Sequence, residues 1–165
     1  MFDLKPLCPE AVPAAMARAT RYRLLNEPSE AESICLDVLG VEPENQQAIA
    51  TLILALSDRF PASHAHEAAR ARELVGRLRK PYDRAYYAGI ISERLAKALL
   101  KQAGPGAAPA AYAQFEQAMK CYEQAEGLRP LGNDDARLRW NACARLIMQH
   151  HLGPPAEEAL EPALE

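Results

Sequence analysis

Aromatic residues are scarce in this chain, 6% of its 165 residues, and no β-branched run alternates with polar residues around a hairpin turn. The first absence excludes a core built on many bulky anchors, and the second excludes strands. No apolar run approaches the roughly 18 residues that a membrane span needs. The opening Met1-Phe2-Asp3-Leu4-Lys5-Pro6 has no basic segment followed by an apolar one, so the expectation is a cytoplasmic chain without a membrane partner. Cys8, Cys35, Cys121 and Cys143 lie far apart with no C-x-x-C pair, which excludes a zinc ribbon and a thioredoxin-like motif and leaves reduced, mostly buried small hydrophobes. His64 and His66 stand two apart, and His150 and His151 are adjacent. Neither pair has the i, i+4 geometry that turns two imidazoles toward one metal. G-x-S-x-G, P-loop, G-x-G-x-x-G and H-E-x-x-H motifs are all missing, so the expectation is a chain that is not an enzyme and needs no cofactor.

Charge of one sign is also missing. The 19 Lys and Arg face 22 Asp and Glu, for a net charge of -3. Residues 152–165 contain Glu157, Glu158, Glu161 and Glu165 and no Lys or Arg, so the preceding body is neutral to slightly basic. That balance argues against a general nucleic-acid binder. Arg70, Arg72, Arg77, Arg79, Lys80 and Arg84 do form a local basic patch, but no aromatic residue stands between Arg70 and Lys80 to stack on bases.

What is present is alanine and helical periodicity, in segments separated by proline and glycine. A composition 49% hydrophobic and 25% charged is that of one soluble globular domain. The spacing predicts seven helices, over about residues 10–25, 28–39, 44–59, 62–79, 82–102, 110–128 and 133–151. Asn26 and Gly40 read as stops, and Asn133 and Asp134 read as N-caps. The third segment carries the broadest apolar surface and is expected to be central. In the fifth, Ala85, Ala88, Gly89, Ser92 and Ala96 recur at helical spacing, which predicts either close helix contact or an open groove. The segment 104–109 reads as a flexible connector, and 152–165 as an acidic, proline-containing tail without fixed structure.

Two of these segments repeat one pattern. Ala31, Cys35, Val38 and Pro43 are spaced 4, 3 and 5 apart, and Ala118, Tyr122, Ala125 and Pro130 reproduce those spacings. Together with Ala19 and Tyr22, the pattern resembles the tetratricopeptide repeat, in which small residues let two helices approach, bulky ones fill the gap and proline ends the second helix. The resemblance is strongest over residues 12–58 and 111–147. It implies an all-α fold of antiparallel helical hairpins stacked as a short right-handed solenoid, three hairpins plus a closing helix over residues 1–151.

The resemblance also implies a function: an interaction scaffold or adaptor whose concave face holds a peptide or helix of a partner protein. Carried over position by position, its groove residues are Met16, Thr20 and Arg23, then Gln47, Ala50 and Leu54, then Ala85, Ala88 and Ser92, then Asn141 and Arg145. Of these, Thr20, Arg23, Gln47, Ser92, Asn141 and Arg145 supply the polar contacts. The lysine, asparagine and arginine by which some members hold a chaperone carboxylate are replaced by Met16, Thr20 and Thr51. On the last helix, Arg137, Asn141 and Arg145 recur every four residues, an arrangement able to receive a carboxylate. Two alternatives remain open. One is a homodimer through apolar surface around Trp140 and Ile147 on the terminal helix, which no further repeat covers. The other is a site assembled from distant segments, catalytic or RNA-binding.

Overall fold

In a computed structural model of the protein, the structure describes residues 2–60 and 64–155. The described chain is all-helical. A 3-10 turn at Pro9–Ala11 leads into α1 (Val12–Leu24), followed by α2 (Pro28–Val41), α3 (Gln46–Asp58), α4 (His64–Val75), α5 (Pro81–Gln102), α6 (Ala107–Leu128) and α7 (Asp135–Gln149). No described helix is long and apolar enough to cross a membrane. The expected beginning of the fourth helix at residue 62 and most of the expected tail, residues 156–165, lie outside the described residues.

The helix ends follow local chemistry. Asn26 stops α1 by adopting a positive φ of 60°. The Glu27 N–H then donates back to the Tyr22 carbonyl at 2.9 Å, closing a Schellman-type turn. Gly40 is no stop, since α2 runs through it to Val41. By contrast α4 ends at Val75, four residues early, because Gly76, Arg77 and Leu78 each donate to the carbonyl three residues back and so tighten the chain into turns before Pro81 opens α5. The connector expected to reach residue 109 is shorter. Gly106, at φ 78°, caps α6, which starts at Ala107, and Pro109 fits its first turn, where an absent N–H costs nothing. Asn45 caps α3, accepting from the Ala48 N–H through Oδ1 at 2.9 Å. Asn45→Ala should cost about 1 kcal/mol of stability, measured as a lower urea midpoint at unchanged m-value.

Each helix packs on the next, and α3 also packs on α1 and α5. That places α3 in the middle, with Ala48, Ile49, Leu52, Ile53, Ala55 and Leu56 all at 2% exposure or less. The buried apolar residues form two clusters. The first joins α1 to α4 with Ile91, Leu95 and Ala98 of α5, and the second joins Ile90 and Ala96 of α5 to α6 and α7. Adjacent isoleucines on α5 thus serve opposite sides, and this helix links the two halves. On α1, Val12, Met16 and Ala19 are buried, while Tyr22, Leu24 and Leu25 are exposed. The repeated positions behave alike in both copies. Ala31, Cys35 and Val38 of α2 and Ala118, Tyr122 and Ala125 of α6 are all at 0% exposure, and Pro43 and Pro130 each follow the end of their helix by two residues. Burial pushes the Cys35 and Cys143 thiols up to about 12, so both are protonated and serve as packing groups.

The small-residue stripe of α5 makes close helix contact over most of its length. A Cβ built on Gly89 would stand 2.5 Å from Cε1 of Tyr122 on α6, and Ser92 and Ala96 are buried in the same seam. Only its first turns open outward, where Ala85 and Ala88 line a shallow surface depression with Cys121, Gln124 and Leu128.

Candidate functional site

Charged side chains that the apolar pattern would not place inside gather where α1, α3, α5 and α7 face one another. Arg23, in the last turn of α1, donates a two-pronged bond to Asp58 at the end of α3, Nε to Oδ2 at 2.8 Å and Nη2 to Oδ1 at 3.3 Å. Arg94 of α5 approaches the same carboxylate from the other side. Its Nη1 donates to Asp58, to the Leu54 carbonyl at 2.9 Å and to Ser57 Oγ at 2.6 Å. The C-terminal turn of α3 thus lies between two guanidinium groups, where the helix dipole favours positive charge. Burial holds the Arg94 pKa below its usual value despite the neighbouring Asp58 carboxylate; because an arginine starts above 12, it keeps its charge.

One turn away lies a second carboxylate. Glu93 is at 0% exposure. It accepts from the Tyr122 hydroxyl at 2.6 Å, from Arg139 Nη1 of α7 at 3.1 Å and from the Lys97 ammonium. Burial alone would raise its pKa, but the Lys97 and Tyr122 hydrogen bonds and the Lys97 and Arg139 charges outweigh that and hold the carboxyl below its ordinary 4.5. Burial, and then the adjacent carboxylate, push the Tyr122 phenol far up, so it remains a donor. Arg139 also engages Tyr86, whose ring meets Tyr82 in a stack at 5.6 Å and Tyr87 edge-on at 5.4 Å.

Between these two centres is an open groove of about 260 Å³ lined by Ser57 and Asp58, by Arg94, Lys97 and Lys101 of α5 and by Arg139. Lys101 is exposed and has no carboxylate partner among the described residues. With Arg23 at its edge, the groove sets Arg23, Arg94, Lys97, Lys101 and Arg139 against Asp58 and Glu93 alone. It therefore carries an excess of positive charge on a chain that is acidic overall, a setting that draws and orients an acidic ligand.

The residues expected to form the site divide. Arg23 stands at the groove's edge, bonded to Asp58, and Leu54 is half-buried. Thr20 is exposed on α1 one turn earlier, and Gln47 is exposed at the opposite end of α3 from Asp58. Ser92 is buried at 6% exposure in the seam with α6, and Met16 is core. The polar row on α7 is interrupted because Arg137 pairs with Glu126 and Asp134. Asn141 is half-buried and Arg145 exposed, in helical register with the exposed Leu138 and Met148 and away from the buried Ala136 and Cys143. Arg139 is the α7 side chain that reaches the groove. Trp140 and Ile147, which the homodimer alternative needs as open apolar surface, pack against the second cluster, and Trp140 Nε1 donates to Glu123 at 2.9 Å.

Asp58, Glu93, Arg94, Lys97, Lys101 and Arg139 escaped the sequence reading. A signal existed in α5, where Arg94, Lys97 and Lys101 follow i, i+3, i+7 spacing across a helix otherwise rich in apolar residues. The basic patch of residues 70–84 is mostly engaged within the chain. Arg70 pairs with Glu32 and Glu67, Arg77 donates to the Pro43 carbonyl, and Arg84 donates to the Leu78 and Arg79 carbonyls. Comparison with known proteins finds no matching family model, no similar curated protein and no similar solved structure.

Proposed function

We propose that this chain is a non-enzymatic interaction scaffold, a short tetratricopeptide-like solenoid that binds an acidic peptide or helix of a partner protein in the groove floored by α5. The observation that carries the reading is the excess of Arg and Lys in that groove. Two features support the solenoid: neighbour-to-neighbour helix packing with α3 also touching both α1 and α5, and identical burial of the repeated Ala, bulky, Ala positions in α2 and α6. In such an array the odd-numbered helices line one face. Arg23, Asp58, Arg94 and Arg139 come from all four of them. A carboxylate ligand would meet charge-assisted donors already held in place by Asp58 and Glu93, which lowers the ordering cost of binding.

The test is a selection of random peptides of about twelve residues against the full chain, followed by affinity measurement on a Lys101→Glu variant. The expected result is a set of binders enriched in Asp and Glu that lose about tenfold in affinity on the variant and weaken with salt. Binders without acidic enrichment, or with equal affinity for the variant, would overturn the reading. Lys101 makes no contact that the fold needs, so a folding defect does not confuse the result.

A further inference from the structure

We infer that residues 156–165 of this chain occupy the groove of the same molecule and compete there with an acidic partner, an inference that rests on the groove reading above. The first argument is charge. The segment contains Glu157, Glu158, Glu161 and Glu165 and no cationic residue, and the groove sets five cations against two carboxylates, with Lys101 exposed among them. Several arginines elsewhere are paired with carboxylates: Arg59 and Arg70 with Glu32 and Glu67, Arg129 and Arg137 with Glu126 and Asp134.

The second argument is position. Gly89 of α5 meets Tyr122 of α6, whereas Glu126 and Glu123 of α6 meet Arg137 and Trp140 of α7 in reverse order. Helix α6 therefore runs antiparallel to α7, and because Asn133 lies beside Tyr82 while Arg139 meets Glu93, in the same order on both segments, α7 runs in the direction of α5. After the turn at His151, Leu152 packs against the second cluster, so the chain leaves α7 toward the C-terminal end of α5, which bears Lys101. Ten further residues reach at most about 35 Å when extended, while the row from Arg94 to Lys101 is only about 10 Å long along its helix. Through the short link Gly153-Pro154-Pro155 the segment faces the groove at an effective concentration of roughly millimolar. At that concentration even a weak electrostatic contact suffices for occupancy.

The experiment uses the full chain. A water-soluble carbodiimide joins a lysine amine to a glutamate carboxyl as an amide, water being lost to turn the carbodiimide into a urea, and the products are mapped by mass spectrometry. The expected result is Lys101 linked to Glu157, Glu158 or Glu161 within the monomer, at yields about tenfold above those from Lys80 and Lys120, and suppressed by salt. Tail products no richer at Lys101 than at Lys80 and Lys120 would overturn the inference, as would products found only in a dimer, which would place the segment in a second copy.

A second variant separates this inference from the groove reading. The full chain with Glu157, Glu158, Glu161 and Glu165 all changed to Gln is titrated with a fluorescent peptide of residues 153–165. Binding about tenfold tighter than to the unaltered chain is expected, since the intramolecular competitor is gone. Equal binding to both forms would sink the self-occupancy and keep the acidic groove. Binding to neither would sink both.

Discussion

Glu93→Ala should destabilise the protein by about 3–5 kcal/mol, the range for breaking a buried ion pair from one side. The Glu93 carboxylate is fully buried and ties α5 to α6 through Tyr122 and to α7 through Arg139. Without it the Tyr122 hydroxyl, on a residue at 0% exposure, keeps its desolvation cost and loses its acceptor. Lys97 and Arg139 are partly exposed and can turn toward water, so the larger part of the loss falls on Tyr122 and on the space vacated. For a chain of this size the melting temperature should fall by roughly 10 °C. Glu93→Gln keeps an acceptor for Tyr122 and should lose less than half as much. If Glu93→Ala melts within a degree or two of the parent, the carboxylate does not organise this seam.

The same residue sets a pH dependence. The folded chain holds the Glu93 carboxyl below its ordinary 4.5, so the unfolded chain takes up the proton first as pH falls. The contribution to stability is therefore complete above about pH 4.5 and is lost as pH drops through the lower folded value. Urea midpoints between pH 6 and 3 should fall more steeply for the parent than for Glu93→Gln, which has no proton to exchange there. Parallel curves would show that the ionised state of Glu93 does not matter to folding.

The architecture was legible in the sequence to the extent that it rests on local chemistry. Helix count and most boundaries follow from proline, glycine and asparagine placement, and the repeated Ala, bulky, Ala positions are buried in both copies because helix packing admits few side-chain volumes there. The departures occur where a longer-range contact decides. Tyr22, Leu24 and Leu25 fit an apolar stripe, yet α2 packs on the Met16 and Ala19 side of α1. The homodimer alternative needs Trp140 as open surface, and nothing local shows that Glu123, seventeen residues earlier, accepts from its indole. The groove was the least legible part, since Arg23, Asp58 and Arg94 meet only after three helices have packed. Helical phase places Arg145 and Asn141 on one stripe, but only the packing of α7 decides that Arg139 is the residue facing α5.

Gly89→Leu should be nearly as damaging, about 3 kcal/mol, and for the opposite physical reason, excess volume. In an exposed helix interior, replacing glycine stabilises by up to about 1 kcal/mol because glycine has the freest unfolded backbone. Gly127 and Gly40 are exposed in the last turns of α6 and α2, with no atom within 4 Å of an added Cβ, and alanine there should raise the midpoint by less than that. At Gly89 the first added carbon already meets Cε1, Cδ1 and Cζ of Tyr122 at 2.5, 2.8 and 3.0 Å. The Tyr122 ring has no easy retreat, because it is fully buried and its hydroxyl is anchored on Glu93. Either α5 and α6 separate, opening the most extensive helix seam in the described chain, or the Tyr122–Glu93 bond breaks; both outcomes cost more than the helix gains. Gly89→Ala should show the same sign at smaller size. Tyr122→Leu shortens the obstructing ring, so the double change Gly89→Ala with Tyr122→Leu should lose less stability than the two single losses added together. Strict additivity would place the origin of the glycine requirement in the α5 backbone itself and not in the ring that crosses it.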